Sequence, residues 1–523
     1  MSLRVSLSAT PIAVPSSGLI LYIFGFFLLV HTIRRVQAWY RLRHIPGPPL
    51  AGWTSLWLTK RFLNETFFLD VPALADQYGP IFRIGPDKVV CTDVDAVYGI
   101  SGVRSDYKKS DWYTIARISR GGDHIFTLID AEERKERKNF IMPAYAGRGV
   151  DHFEKGTDRA LAAFMDLIDR KYLSTTDKII PMNLEEKIHY YALDAIGEIA
   201  YSESFKYIEE DRDVKGILAV NDATVPLLMS LGNYVSFWKT LRTWPFYYLL
   251  PNDGDESGFG AIAGHVSSIV KKRLKPDADP KHDMLQSFID HGLRGDALKQ
   301  EVGIQFFAGS DTVSSLLYTT FYLLLTHPAV YIRLQAELDA AHTTTTTQPN
   351  TTPNPTTEPT TIIRDAQART LPYLQSVIRE GLRLFPPLCA PPIYKEVPAG
   401  GDVLCGRALP AGTWVATGNQ MWQGNRERAF WGGDADVFRP ERWLEAGFGA
   451  QRLAQMNRRV ELAFGSGQFV CVGRGVAMVE VGKVLGELLR RYNWALADPL
   501  NPPRIRNNGV WVIRDFYVRV EKR

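Results

Sequence analysis

The sequence predicts a mainly α fold with a smaller β portion, formed as a single large globular domain after an N-terminal transmembrane helix. Three observations carry this. An uncharged apolar stretch stands near the start. Long segments with apolar residues at helical spacing fill the middle. Short strand-and-turn pieces are confined to two places. The composition is that of a folded protein, with 45% hydrophobic and 23% charged residues in 523, enough to bury a substantial core. A formal net charge of +4 is too weak for a nucleic-acid binder. Cys91, Cys389, Cys405 and Cys471 are widely spaced with no C-x-x-C pattern. This excludes a disulfide scaffold and a cysteine-rich zinc module. Buried, inert thiols are expected for Cys91, Cys389 and Cys405.

From Val5 to Ile33 there is no Asp, Glu, Lys or Arg, and Gly18 to Val30 is almost purely apolar. Taken over 12–33, the run approaches the roughly 20 residues a helix needs to cross a bilayer. A cleaved signal peptide is the competing reading, but its apolar core is normally shorter and followed by small residues. Here His31-Thr-Ile-Arg-Arg35 follows. Residues 1–11 are then a short lumenal N-terminus and 12–33 the transmembrane anchor. Arg34, Arg35, Arg41, Arg43, Lys60 and Arg61 come before the first acid, Glu65, while only Arg4 precedes the span. Positive residues stay cytoplasmic, so the body faces the reducing cytosol. Residues 34–49, ending in Ile45-Pro-Gly-Pro-Pro49, read as a basic, proline-rich hinge.

The rest, 50–523, reads as one catalytic domain. Ile81–Ile84 and Val89–Thr92 around Gly85-Pro-Asp-Lys88 form a strand, turn and strand. From about Asp130 to Leu325 the pattern is mostly helical, with no 20–50-residue repeat. Residues 342–361 hold eleven Thr and four Pro, a surface insertion that forms no packed element. Val397 to Thr417 alternates short apolar stretches with Gly and Pro, as strands and turns do.

Three segments have chemical content. The first, Glu301 to Leu325, is apolar enough for a core helix and is stopped by Pro328, yet Gly309, Ser310, Asp311 and Thr312 stand in its middle. A buried carboxylate is costly without a partner, and Thr bonding back to a carbonyl loosens a helix. The reading is either a local opening beside an acid and a hydroxyl, or an exposed face shared by Ser310, Asp311, Ser314 and Ser315. The second, Thr370 to Pro386, is a helix on which Glu380 and Arg383 share a face. Exposed, such a pair contributes only about 0–1 kcal/mol. The third is Phe464-Gly-Ser-Gly-Gln-Phe-Val-Cys-Val-Gly-Arg474, followed by a helix with Ala477, Val481, Val484, Leu485 and Leu488 on one side. Cys471 thus precedes a helix N-terminus, which favours a thiolate. Gly465 and Gly467 allow a tight turn, and Gly473 allows close approach to a flat partner. A lone thiolate is wrong for structural zinc and right for iron already held by four ring nitrogens. A Cys nucleophile is the rival reading. It needs a His, and none lies between His342 and the C-terminus.

Occurring in this order, these segments resemble the motifs of a membrane-anchored (microsomal) cytochrome P450. Phe464, Gly467, Cys471 and Gly473 resemble its haem loop, and Glu380-x-x-Arg383 its paired-charge helix. Ala308-Gly309-Ser310-Asp311-Thr312 resembles its oxygen-activation groove. Phe438-Arg-Pro-Glu-Arg-Trp443 resembles the segment whose Arg442 completes a buried charge triad. The stretch from Val397 to Trp443 is most like filamentous-fungal members of secondary metabolism, including the pisatin demethylase-like group. One departure is plain: Phe469 stands where the family usually places an Arg that pairs with a haem propionate. Lys395, Arg134 and Lys138 are the candidates to replace it. The alternative for Glu133 to Lys138 is a solvated helix face.

The resemblance implies a cytochrome P450 fold and haem b, with Cys471 as the iron's axial ligand. Asp311 and Thr312 are the implied proton relay, and Gly309 leaves room for O2. It further implies insertion of one oxygen atom into an apolar small molecule, with electrons from NADPH through a separate NADPH-cytochrome P450 reductase. The implied location is the endoplasmic reticulum membrane, single-pass with the catalytic domain cytosolic. The segments 107–117 and 224–244 resemble its substrate-recognition regions. Two other readings stand beside it: a haem-binding sensor or carrier without turnover, and a haem-thiolate isomerase or dehydratase that needs no external electrons.

Overall fold

Apolar side chains at Leu298, Val302, Phe306, Val313, Leu317, Phe321 and Leu324 keep helical spacing across the chain's longest core segment, and all of them are buried. The computed structural model describes residues 17–117, 122–147, 152–346, 362–389, 393–418, 424–444, 449–507 and 509–523. The helices that frame the site are α1 (Ser17–Arg41), α2 (Ala131–Tyr145), α3 (His152–Leu167), α4 (Leu184–Tyr201), α5 (Ile217–Leu231), α6 (Gly295–Thr326), α7 (Pro328–Thr346), α8 (Pro372–Leu384) and α9 (Arg474–Arg491). The strands are short: β1 (Ile81–Gly85), β2 (Lys88–Cys91), β3 (Lys108–Lys109), β4 (Met182–Asn183), β5 (Tyr394–Glu396), β6 (Asp402–Leu404), β7 (Arg407–Leu409), β8 (Trp414–Ala416), β9 (Tyr492–Leu496), β10 (Arg504–Asn507), β11 (Trp511–Arg514) and β12 (Tyr517–Lys522).

Local chemistry sets the helix ends. Asp130 accepts from the backbone N–H groups of Glu132 and Glu133 and opens α2, and Asn183 does the same for α4 at Glu186. Pro372 sits in the first turn of α8, as the sequence predicts. The largest sheet has the order β1-β2-β8-β5-β3, in which only β2 and β8 run parallel. Its last pair brings Lys109 opposite Lys395. The other strands form a three-stranded sheet, β4-β12-β9, and the hairpins β6–β7 and β10–β11. The long helix α6 crosses the core, packed against α4, α8, α9 and β11.

Four expectations change. The helix of the apolar run does not stop at Ile33 but continues through the basic residues to Arg41, so much of 34–49 is helical. The proline-rich segment is docked on the globule. Arg83 N donates to Pro46 O, its guanidinium donates to the carbonyls of Ala38 and Trp39 at the end of α1, and a Cβ on Gly47 would lie 2.3 Å from Arg83 O. The threonine-rich segment begins as helix, since α7 runs to Thr346, and 347–361 lie outside the described residues, as do 1–16. Cys91 and Cys389 are buried as expected, but Cys405 is exposed, at φ +49° in the turn of the β6–β7 hairpin.

Glu380 and Arg383 are not a surface pair, for both are fully buried. Glu380 accepts from Arg383 Nη2 at 2.7 Å, Arg442 Nε at 2.9 Å, Trp443 Nε1 at 2.9 Å and Arg439 N at 3.1 Å. Arg383 also donates to the carbonyls of Asn425, Ala435 and Val437. Desolvating these ions is costly, and the hydrogen bonds offset it only while the cluster is complete. Removing one partner strands a buried charge, so Arg383→Ala is expected to cost about 3–5 kcal/mol, read as a lowered chemical-denaturation midpoint of the full-length protein.

Candidate active site

The loop before α9 is folded around its cysteine. Gly467 has φ +54°, and a Cβ there would sit 1.9 Å from Ser101 O, so only glycine lets the loop press onto that carbonyl. The Cys471 N–H donates to Phe464 O at 2.7 Å, which closes the loop. The Arg474 guanidinium lies 5.6 Å from the Phe464 ring centroid. Burial pushes the Cys471 thiol up, while N–H groups of Gly473 and Arg474 at the start of α9 and the Arg474 charge pull it down. Bound iron would supply the remaining positive charge that a thiolate needs. A Cβ on Gly473 would meet only Cys471 Sγ at 3.9 Å and the Tyr145 ring at 4.0 Å. The protein's own packing therefore tolerates a side chain there, and the space left beside the sulfur suits a flat group.

Phe469 gathers the cations that the sequence named. The Lys395 ammonium lies 4.2 Å and the Arg134 guanidinium 5.0 Å from its ring centroid. Arg134 Nη2 donates to Gln468 Oε1 at 2.9 Å and Lys138 Nζ to Gln468 O at 3.1 Å. Lys395 Nζ donates to the Tyr113 hydroxyl. Across the β3–β5 pair Lys109, also buried, donates to the carbonyls of Ile125 and Phe126. Lys395 is driven down to about 7 by burial, with the Arg134 charge adding to the effect. Lys109 is held well below its ordinary value by burial and by Lys395, Arg134 and Lys138. Among the described residues no carboxylate forms an ion pair with any of the four, and the buried Arg134 Nη1 has no partner. Like charges crowded in a low-dielectric site call for an anion, and the paired carboxylates of a haem fit that need. Lys109 and Tyr113 lie in the 107–117 segment that the sequence assigns by resemblance to substrate recognition, and Gln468 lies in the cysteine loop. Their meeting with the cations has no sequence signal, because it depends on pairing strands as distant in the chain as those of Lys109 and Lys395.

On α6 the buried reading holds: Ser310, Ser314 and Ser315 have no exposed surface. Ser310 and Thr312 bond back to the carbonyls of Phe306 (2.7 Å) and Ala308 (2.9 Å), yet the helix is continuous and does not open. Ala308 is exposed in this mostly buried helix, with Thr312 partly so, which leaves α6 uncovered along a short groove at its middle. Gly309 faces elsewhere. A Cβ there would lie 2.8 Å from Ile196 of α4, so its missing side chain serves the close approach of two helices. Asp311 also points toward α4, where its Oδ1 lies 3.2 Å from His189 Nε2.

A cysteine sulfur at a helix N-terminus, a nest of buried cations and a groove in a core helix together define a haem-thiolate protein. The family profile described as Cytochrome P450 matches residues 46–518, and the chain belongs to that family, whose monooxygenases hold haem b through a cysteine thiolate. The chain is 34% identical over 495 residues to Cytochrome P450 monooxygenase ABA1 of Pyricularia oryzae, covering 92% of this chain and 93% of that one. It is 33% identical to Cytochrome P450 monooxygenase aba1 of Botryotinia fuckeliana, covering 92% of each. Cytochrome P450 monooxygenase mpaDE of Penicillium roqueforti is 28% identical over 95% of this chain but 57% of its own length. Among solved structures, the haem domain of cytochrome P450DA superposes with a TM-score of 0.68 at 18% identity, covering 87% of this chain and 93% of that one. The fold is therefore shared.

The cation nest yields a test. A hydrogen bond to a charged group is worth about 1.5–3 kcal/mol, so Lys395→Met should speed haem loss about tenfold to a hundredfold. Transfer of haem to an excess of an apo-globin measures this, and unchanged far-ultraviolet circular dichroism would show that the fold survives.

Proposed function

We propose that the protein is a membrane-bound monooxygenase of fungal secondary metabolism that inserts one oxygen atom from O2 into an apolar small molecule. Two electrons would come from NADPH through a separate NADPH-cytochrome P450 reductase. The observation that carries the reading is Cys471 held at the N-terminus of α9 beside a nest of buried cations that, among the described residues, forms no ion pair with a carboxylate. Full-length similarity to fungal monooxygenases supports it.

Cys471 would hold the haem iron, and Arg134, Lys138, Lys395 and Lys109 would hold the haem carboxylates. Bound haem supplies the activation of O2 and the transfer of one of its atoms to the substrate. The second atom leaves as water, which consumes two protons. Thr312 Oγ lies at the groove, where it hydrogen-bonds Ala308 O and can turn to bind and pass a proton through water. Asp311, next to it on α6, is the acid behind that relay. Membrane attachment is supported by α1, whose Tyr22, Phe26, Leu28 and Leu29 are exposed. Trp244, Phe246 and Leu249, beyond α5, form a second exposed apolar group that suits a bilayer surface.

Metabolite profiling of a deletion strain identifies the accumulating substrate. The purified protein with reductase and NADPH should then add one heavy atom to it from 18O2, and a product without label would overturn the reading. Cys471→Ala should lose the thiolate-type spectrum of the reduced CO complex, and its retention would refute the ligand assignment. Thr312→Ala should raise O2 consumed per product severalfold through peroxide release, measured with an oxygen electrode and a peroxide assay.

A further inference from the structure

Asp311 does not stand free beside the groove. Its Oδ1 lies 3.2 Å from His189 Nε2 of α4, and its Oδ2 accepts from Asn221 Nδ2 of α5 at 3.2 Å. His189 is 6% exposed. Its second nitrogen, Nδ1, lies 3.6 Å from Glu185 Oε1, one turn earlier on α4. Glu185 is also buried and faces Arg514 Nη1 of β11 at 3.3 Å. Arg514 Nη2 pairs with Asp222 of α5, whose side chain is 41% exposed and so meets solvent. Tyr318 of α6 flanks the imidazole, with ring centroids 6.3 Å apart. Acid, imidazole, acid, guanidinium and acid thus alternate from the middle of α6 to the surface, supplied by four separate elements.

Elementary chemistry fixes the state of the imidazole. A neutral ring carries one N–H and one lone pair, and here both nitrogens face carboxylate oxygens. A lone pair against a carboxylate repels, whereas an imidazolium satisfies both sides. Burial alone opposes the charge, but Asp311 and Glu185 outweigh it and raise the group to about 10. Arg514 and Asp222 lie beyond Glu185, and the Tyr318 hydroxyl is pushed up by burial and stays neutral.

We propose that His189 is a positioning residue of the reaction: its imidazolium, braced by Glu185 and Arg514, fixes the Asp311 carboxylate on the α4 side of α6. The inference rests on the reading of Asp311 as the relay acid. Arg514 cannot give up a proton, so the chain is a brace and not a wire. Protons reach Asp311 through water, and His189 sets where the carboxylate waits for them. Asn221 ties the other oxygen to α5, so the helix that carries the brace's outer acid, Asp222, also holds the inner one.

The test uses the haem-loaded full-length protein in lipid nanodiscs. With 15N-labelled histidine, the signal absent from His189→Gln should show an imidazolium throughout pH 6–8. Its protonation midpoint should fall by more than one pH unit in Asp311→Asn, and also in Glu185→Gln, which keeps the histidine should His189→Gln fold poorly. A His189 that titrates near its ordinary value, or a midpoint indifferent to Asp311, overturns the proposal. NADPH oxidation with added reductase and no substrate, compared in H2O and D2O, gives the second readout. Asp311→Asn and His189→Gln should each enlarge the solvent isotope effect about twofold or more, and the double variant should match Asp311→Asn alone. An effect in Asp311→Asn but not in His189→Gln overturns positioning. No effect in either overturns the acid role itself, and the nitrogen signals then decide separately whether His189 holds Asp311.

Discussion

One buried carboxylate organises the half of the molecule that presents the cysteine. Glu380 takes hydrogen bonds from Arg383 on its own helix and from Arg439, Arg442 and Trp443 on a later segment. Arg383 spends its remaining donors on three backbone carbonyls between Asn425 and Val437. An irregular stretch with little regular secondary structure is thereby tied to a rigid helix by ions that cannot separate without stranding charge. The loop of Cys471 comes later in the chain, beyond the helix Gly449–Glu461.

A second electrostatic arrangement faces the opposite way. The cations around Phe469 are buried and repel each other, with aromatic faces and carbonyl oxygens as their partners. The aromatic ring does not replace the charge of a family arginine at this position. It provides a face on which Lys395 and Arg134 converge from distant segments. In the proposed reading, charge complementarity at the haem edge would move off the loop onto the sheet and α2. The cation nest would then be relieved by the anionic cofactor, whereas the Glu380 cluster is complete in the protein alone.

How much of this could be read from sequence depended on distance along the chain. The cysteine loop was readable because its turn, its thiol and its following helix lie within Phe464 to Leu488. Glu380 and Arg383 were visible as neighbours on one helix, but their burial was not, since that depends on a segment some sixty residues later. Asp311 showed itself as an acid out of place. Its direction remained hidden because adjacent helical positions point about 100° apart, and both sides of α6 are covered by other elements. His189 left no signal at all. A histidine in an apolar helix gains meaning only when α6 and β11 bring Asp311 and Arg514 to its neighbourhood. The run of apolar residues ends at Ile33, but the helix does not. Arg34 to Arg41 continue it, since Arg, Gln and Ala are good helix formers.

The grip of Arg83 on the last carbonyls of α1 has a mechanical consequence. Because the guanidinium binds Ala38 and Trp39 while its own carbonyl abuts Gly47, the helix and the first strand share one joint with no free swivel. Under the proposed membrane attachment, a lean of α1 would be carried into β1 and the sheet behind it. Arg83 shares that task with Arg41, which donates to Ala411 O, with His44 on Ala408 O and with Trp39 stacked on Trp53, so the pitch of the body on such a membrane would be set by this cluster and not by one side chain.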